Sequence, residues 1–281
     1  MRQGYSGPLV PPRRRADGNN GPVLNPETQY ATDSNLRARQ RLWEYRTDDF
    51  DLFAWVLGLA GAVGTGTTVL DVGCGNGLYL ERLRRAGATA VGCDLSAGML
   101  DAARDHPLLV NGDAQALPFR SASVDVVLAP HMLYHVPDRG AAVLEIRRAL
   151  RPGGRCVAVT NGAGHMASLR SLVEASARKS NPGWEMANPA TRAFSLENGG
   201  AQLAAGFDLV ELVRPPSQAR VEITDPRVVT DYVTSTGDHY QPHLLRPWAE
   251  IVAEVTEEVA AVIAIAGAFR VDGDTGAFVC S

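Results

Sequence analysis

The residues best placed for chemistry in this chain are acids set beside glycines. The run Val69-Leu-Asp-Val-Gly-Cys-Gly-Asn-Gly77 puts Asp71 two residues before the first of three glycines spaced G-x-G-x-G. Glycine lets a backbone turn tightly and approach a ligand closely. A strand that runs into such a turn and then into a helix is where open α/β sheets bind nucleotide-like ligands. Dinucleotide-binding proteins place G-x-G-x-x-G there and bring a pyrophosphate to it. A carboxylate at Asp71 repels a pyrophosphate and favours a ligand carrying a sulfonium and an ammonium. Asp94 closes the next apolar run, 21 residues after Gly73. A carboxylate there can accept both hydroxyls of a ribose, whichever cofactor carries it. Asp113, in Asn111-Gly-Asp-Ala-Gln115, ends a third run, where it either meets an adenine edge or caps a turn.

A second group follows the fourth apolar run: Pro130-His131-Met132-Leu133-Tyr134-His135-Val136-Pro137-Asp138. Imidazole titrates near neutral pH and suits a general base. His131 and His135 are therefore candidate bases or acceptor-orienting groups, with Tyr134 beside them. The alternative makes His135 a hydrogen-bonded residue at a helix start and Tyr134 a filler of space. His165, Trp184, Phe194, His239, Tyr240 and His243 could line an acceptor pocket, although packing explains each one taken singly.

The elements that must position these groups alternate. Helical spacing of Leu36, Leu42, Trp43, Phe50, Phe53, Trp55, Val56 and Leu59 predicts one helical segment over Asn35–Val63, ended by Gly61, Gly64 and Gly66. Strands are expected at Thr67–Val72, Ala88–Asp94, Leu108–Val110, Val124–Ala129 and Cys156–Thr160. Helices lie between them, with Ser96 and Asp138 as caps and Pro152-Gly153-Gly154 as a stop. Short apolar strands separated by helices predict a parallel sheet covered on both faces. Beyond Asn161 the expectation is a helix over Met166–Lys179, a loop over Asn181–Asn188, and a short helix capped by Ser195. Strands at Asp208–Val213 and Arg220–Ile223, a helix opened by Asp225-Pro226, and a long helix over Leu244–Ala266 follow. Phe269–Val271 and Phe278–Cys280 read as a strand end or hairpin.

Bulk properties exclude several classes. The chain has 281 residues, 45% hydrophobic and 21% charged, with a formal net charge of −4. That balance disfavours nucleic acid as the main partner. No apolar run is long enough to span a membrane, and no secretory h-region opens the sequence. Cys74, Cys93, Cys156 and Cys280 contain no C-x-x-C pair, so neither zinc nor a disulfide framework is expected. A cytoplasmic location is the expectation. Residues 1–29, rich in Gly, Pro, Asn and Arg and including Arg13–Arg15, read as a disordered arm.

Taken together, Val69–Gly77, Gly92-Cys-Asp-Leu-Ser96 with Met99, Gly112–Phe119 with Ser123–Leu128, and Leu150-Arg-Pro-Gly-Gly-Arg155 resemble the ordered motifs of the class I S-adenosylmethionine-dependent methyltransferases. The best match is the methyltransferase-11-like branch that includes menaquinone and ubiquinone enzymes. The resemblance covers about residues 67–160. It implies a doubly wound, mostly parallel seven-stranded α/β sheet and S-adenosylmethionine as cofactor. Asp71, Gly73, Cys74 and Gly75 would surround the methionine part and Asp94 the ribose. Leu95, Met99, Asp113 and Ala114 would meet the adenine, and Ala129 and Pro130 would lie near the methyl. Tyr30 and Arg39 would close over the cofactor. The implied organisation is the arm (1–29), a helical lid (30–66), the cofactor-binding core (67–161), and the remaining strands with a substrate-covering helical insert (162–281). The absence of an N-P-P-Y or D-P-P-Y motif after the fourth strand, and of a Pro-Cys nucleophile, favours a small-molecule acceptor. An aromatic or natural-product metabolite of secondary metabolism fits that branch, acted on by a monomer or homodimer without membrane or metal. The rivals are an RNA- or protein-directed methyltransferase, a non-catalytic cofactor-binding protein, and a nicotinamide-dependent oxidoreductase.

Overall fold

The structure, a computed structural model, describes residues 30–184, 190–240 and 244–281. The arm expected at 1–29, His243 and part of the loop expected at Asn181–Asn188 lie outside the described residues.

A seven-stranded sheet carries the fold. Its strands are β1 (Thr68–Val72), β2 (Thr89–Asp94), β3 (Leu109–Asn111), β4 (Val124–Pro130), β5 (Leu150–Asn161), β6 (Val210–Val213) and β9 (Thr275–Cys280). The spatial order is β3-β2-β1-β4-β5-β9-β6. β1 to β5 are parallel, and β9 runs antiparallel to both β5 and β6. The order reverses between β1 and β4, so a crevice opens beyond their carboxyl ends.

Residues of period two divide the sheet between two cores. Val69, Val126, Leu128, Val157 and Val159 face α2 (Leu52–Leu59) and α3 (Leu78–Arg85) through Val56, Tyr79 and Leu83. Leu70, Val72, Val127, Cys156 and Ala158 face α5 (Arg139–Ala149) through Ala142, Val143 and Ile146. The expected caps form: Ser96 Oγ accepts from Met99 N at the start of α4 (Ala97–Ala102), and Asp138 from Ala141 N. All four cysteines are buried and free.

A third core stands over the crevice. It joins α1 (Ser34–Leu42) and α6 (Ala167–Arg178) to the chain between β6 and β9. That stretch contains β7 (Arg220–Ile223), α7 (Pro226–Ser235), α8 (Trp248–Ala266) and β8 (Phe269–Asp272), with β7 and β8 forming a separate antiparallel ribbon. Leu42, Val173, Val229, Val255 and Val271 meet in its centre. Trp184, Tyr240 and Trp248 stack in series at 6.0 and 5.4 Å.

Four expectations are corrected. The segment Asn35–Val63 is two helices, because Arg46 turns extended, bridges to Val221, and is followed by Thr47 N donating to Arg220 O. Asp51 then starts α2 afresh by accepting from Ala54 N. Pro152-Gly153-Gly154 does not end a helix; α5 stops at Ala149 and the motif lies inside β5, beside a register shift opposite Val124 and Val126. Asn198, not Ser195, precedes the short helix Gly199–Leu203. Phe269–Val271 and Phe278–Cys280 are not a hairpin: they part at Gly273 and join different sheets.

Candidate active site

The glycine turn after β1 is pinned from below. Gly73 N and Cys74 N both donate to Cys93 O on β2, at 2.7 and 3.1 Å. Gly73, Gly75 and Gly77 all have positive φ, a region closed to most side chains. A Cβ on Gly73 would lie 2.6 Å from Met132 Cβ, so the turn after β1 touches the turn after β4.

Asp94 is half-buried at the end of β2. Its Oδ2 accepts from Gly75 N and its Oδ1 from Ser96 N, both at 2.9 Å. Each oxygen keeps a lone pair for a ribose hydroxyl. Burial raises its pKa against these hydrogen bonds. Asp71 is 1% exposed, and its Oδ1 has no hydrogen-bond partner among the described residues. Burial first, and the neighbouring charge of Asp94 second, push its carboxyl well above the usual range. Two neighbouring acids, neither in an ion pair among the described residues, form a receptor for a positive group. Burial also raises the Cys74 thiol, and it pushes Cys93 up to about 12, so neither is a ready thiolate.

Other predicted cofactor residues are placed unequally. Met99 is buried and Leu95 exposed beside the crevice. Asp113 accepts from Gln115 N and holds Gln115 Nε2 with both oxygens, so it caps the short turn that buries Ala114. The Ala129 side chain lies in the sheet core, which leaves only its backbone for a ligand, whereas Pro130 is half-buried at the rim.

The leading segment closes the crevice from above. Tyr30 O accepts from Ser96 Oγ at 2.6 Å, and Leu36 lies over Gly75. Gln40 and Asn76 exchange side-chain hydrogen bonds at 3.4 and 3.2 Å. Arg39 donates to Tyr30 Oη at 3.1 Å and to Ser235 Oγ and O on α7, at 3.2 and 2.6 Å. Tyr30 Oη also lies 3.1 Å from His135 Nε2, a hydrogen bond whose donor is set by the imidazole tautomer. Tyr30, Arg39 and His135 thus form one chain of contacts, with the Tyr134 ring edge-on to His135 at 4.6 Å.

His131 stands on the other side of the β4 turn. Its backbone holds φ 55°, unusual for a non-glycine residue, with His131 N donating to Val159 O at 2.9 Å. Burial lowers its pKa to about 4. His165, after β5, is lowered to about 3 by burial, then by His131 and Arg170; it accepts from Asp274 N and lies 5.4 Å from the Trp43 ring. His131 and His135 therefore belong to different sets of contacts. Trp43, Ser235, Tyr232 and Gly98 were not predicted. Gly98 is needed because a Cβ there would sit 2.1 Å from Ala31 O. The partners of Arg39 and Ser96 lie too far along the chain for any local signal.

Residues 70–158 match the family model described as a methyltransferase domain. A ubiquinone biosynthesis O-methyltransferase of Cupriavidus pinatubonensis is 39% identical over 129 residues, 43% of this chain and 51% of that protein. Methyltransferase GfsG of Streptomyces halstedii is 32% identical over 169 residues, 56% of this chain and 59% of that one. The chain spans between 22% and 59% of the length of the curated relatives it matches. Among solved structures, phosphoethanolamine N-methyltransferase 2 of Haemonchus contortus, in complex with S-adenosyl-L-methionine, superposes with a TM-score of 0.54 at 20% identity, covering 91% of this chain and 58% of that one. The cyclase SpnF gives 0.52 at 17%, covering 92% and 97%. At these identities the likeness concerns the fold. Over residues 70–158 the chain is thus similar to the methyltransferase domains of this family, carried on a Rossmann-like α/β sheet.

Proposed function

We propose that this chain transfers a methyl group from S-adenosylmethionine to a small-molecule acceptor, with Asp71, Asp94 and the Gly73–Gly77 turn holding the donor. The single observation that carries this is the pair of acids at the glycine turn, with Asp71 buried and uncompensated. A cation relieves that repulsion and a pyrophosphate aggravates it. The bound cofactor supplies an already activated methyl, which bonds to the acceptor's lone pair as its bond to sulfur breaks and the sulfonium becomes a thioether.

The chain's own task is then to align the acceptor and exclude water. In this reading α1, α6 and the stretch between β6 and β9 are the lid. Met99, Leu95 and the Asp113–Ala114 turn flank the adenine, and the rim from Pro130 to His135 meets the acceptor. His131, with a pKa of about 4, would take a proton from an ordinary phenol roughly 6 units uphill, about 8 kcal/mol. It therefore serves as a hydrogen-bonding group and not as a strong base. No helix among the described residues is long and apolar enough to cross a membrane; with the acidic balance, this supports a small diffusible acceptor. The test is calorimetry with S-adenosylhomocysteine and with NAD(H), followed by mass spectrometry of metabolites incubated with methyl-labelled cofactor. Binding of NAD(H) alone would refute the proposal.

A further inference from the structure

The turn after β5, residues 162–166, is pinned from two directions. Gly162 N donates to Asp274 O at 2.8 Å, Gly164 N to Asp274 Oδ2 at 3.2 Å, and Met166 N to Asp272 O at 2.9 Å. Arg170, on α6, donates to Ala163 O at 2.8 Å. A Cβ on Gly162 would lie 2.1 Å from Asp274 Oδ2, so this turn meets the β8–β9 turn only through glycine. His165 is the titratable side chain that this framework carries.

Its ring is fixed twice over. Asp274 N donates to Nδ1 at 3.1 Å. A backbone N–H only donates, so Nδ1 is the bare nitrogen and the neutral ring keeps its proton on Nε2. The ring of Trp43, which follows α1, lies 5.4 Å away at a tilt of 35°. Nε2 has no hydrogen-bond partner among the described residues, yet it is not sealed off: the sealed, unpartnered side-chain atoms belong to Arg46, Asp71 and Trp248. His131 is alike, with no side-chain hydrogen bond and no sealed nitrogen. Both rings are half-buried and still lowered in pKa by burial, as groups on the wall of a concave space are. They follow the neighbouring strands β4 and β5 at the rim of the crevice, and His131 acts electrostatically on His165.

The surroundings of this pair hold no counter-ion for a cation. Among the described residues His131 feels burial alone, and the charges that reach His165 are those of His131 and Arg170. The Asp274 carboxylate is taken by Arg214 and Gly164 N. A protonated amine entering here sheds water and meets no acid. A fixed, uncharged N–H partly shielded from water is instead a receptor for an oxygen lone pair.

We propose that His165 is an acceptor-binding residue: its Nε2–H receives a carbonyl, hydroxyl or phenolic oxygen of the acceptor, and the rim it shares with His131 turns away protonated amines. This inference rests on the methyltransferase reading above and narrows its acceptor to an uncharged oxygen compound. His165 donates a hydrogen bond and moves no proton. Asp274 and Trp43 are positioning residues that hold its tautomer and ring plane.

The experiment uses the full chain with nitrogen-15-labelled histidine, saturated with S-adenosylhomocysteine. The probes are simple phenols and aryl ketones on one side and primary amines of matched size on the other. The signal missing from His165→Asn identifies His165. Asparagine sets an oxygen near the place of Nδ1, keeping the Asp274 contact without the donor; glutamine sets an amide N–H near the place of Nε2, keeping the donor without that contact. The wild-type signal should show the Nε2–H tautomer at neutral pH and shift saturably with the oxygen probes but not with amines. His165→Asn should weaken oxygen-probe binding roughly tenfold, His165→Gln distinctly less, and both should bind S-adenosylhomocysteine as wild type does. A merely structural His165 gives the reverse order, with asparagine harmless and glutamine harmful, and that result overturns the proposal. So does an Nδ1–H tautomer, an equal shift with amines, or no shift with any oxygen probe in protein that binds S-adenosylhomocysteine. Failure of wild-type protein to bind S-adenosylhomocysteine instead sinks the methyltransferase reading itself.

Discussion

The two walls of the crevice are built by opposite means. The lower wall, from β1 to β4, is made of short-range pieces: a strand, a glycine turn and a helix, with caps two or three residues from the groups they satisfy. The upper wall is held by contacts between distant parts of the chain, such as Arg39 with Ser235 and Tyr30 with His135. Their charges differ as well: below, Asp71 Oδ1 has no hydrogen-bond partner among the described residues, and above, Arg39 donates to Tyr30 and Ser235. Local construction makes the donor side readable and rigid. Long-range construction makes the acceptor side dependent on closure.

The sharpest break in this contrast should come from Asp94→Ala. Two backbone donors lose their acceptor and two ribose hydroxyls lose theirs; at about 1.5 kcal/mol for each of two charge-assisted bonds, affinity for S-adenosylhomocysteine should fall roughly 100-fold. Calorimetry checks this, and unchanged affinity would take Asp94 out of the site.

Asp71→Asn should act in two directions. Cofactor affinity should fall roughly tenfold, the weight of about 1.4 kcal/mol, because the cation loses its carboxylate. Stability of the free protein should rise at neutral pH. The native state holds the Asp71 proton more tightly than the unfolded chain does, so ionisation costs stability as pH climbs from the ordinary carboxylate range through the raised native value. Above that range the variant should melt a few degrees higher; below it the two proteins should coincide. A gain that persists under acid conditions would contradict the assignment of the charge.

Gly98→Ala probes the join between the walls. Its new methyl group meets Ala31 O, so the Tyr30–Ala31 segment must lift. Cofactor affinity should drop several-fold while the thermal midpoint moves little, since the sheet cores are untouched. An unchanged affinity would mean that the leading segment does not hold the cofactor.

The smallest effect is expected in the pH profile of turnover. With His131 near pH 4, turnover should show no inflection between pH 6 and 7 that His131→Asn removes; asparagine also tolerates the positive φ. Such an inflection would restore His131 as a base of ordinary strength.

The lower wall was legible because its signals are local. Asp71, Asp94 and the glycines lie within one strand–turn–helix unit and the strand that follows it, and short apolar runs marked all five parallel strands. The break in Asn35–Val63 was not legible, since Arg46 leaves the helix only to meet Val221. Apolar spacing continues across that gap and hides it. Likewise Phe269–Val271 and Phe278–Cys280 look like hairpin arms, and nothing within either segment tells that each pairs elsewhere. Tyr30, Arg39 and His135 were each singled out. Their junction required α7, whose Ser235 carries no local signature of such a role.

The position of β9 between β5 and β6 has a consequence for how the molecule assembles. β6 pairs only with β9 in the sheet, and residues 214–274 lie between them. During synthesis β6 must therefore wait, unpaired and carrying Leu212, with Leu209 just before it, until the whole intervening stretch has emerged. Such late, non-local pairing slows folding and leaves a sticky edge open. The order of events is then imposed: the ribbon and helices over the crevice have to be made before the sheet beneath them can be completed.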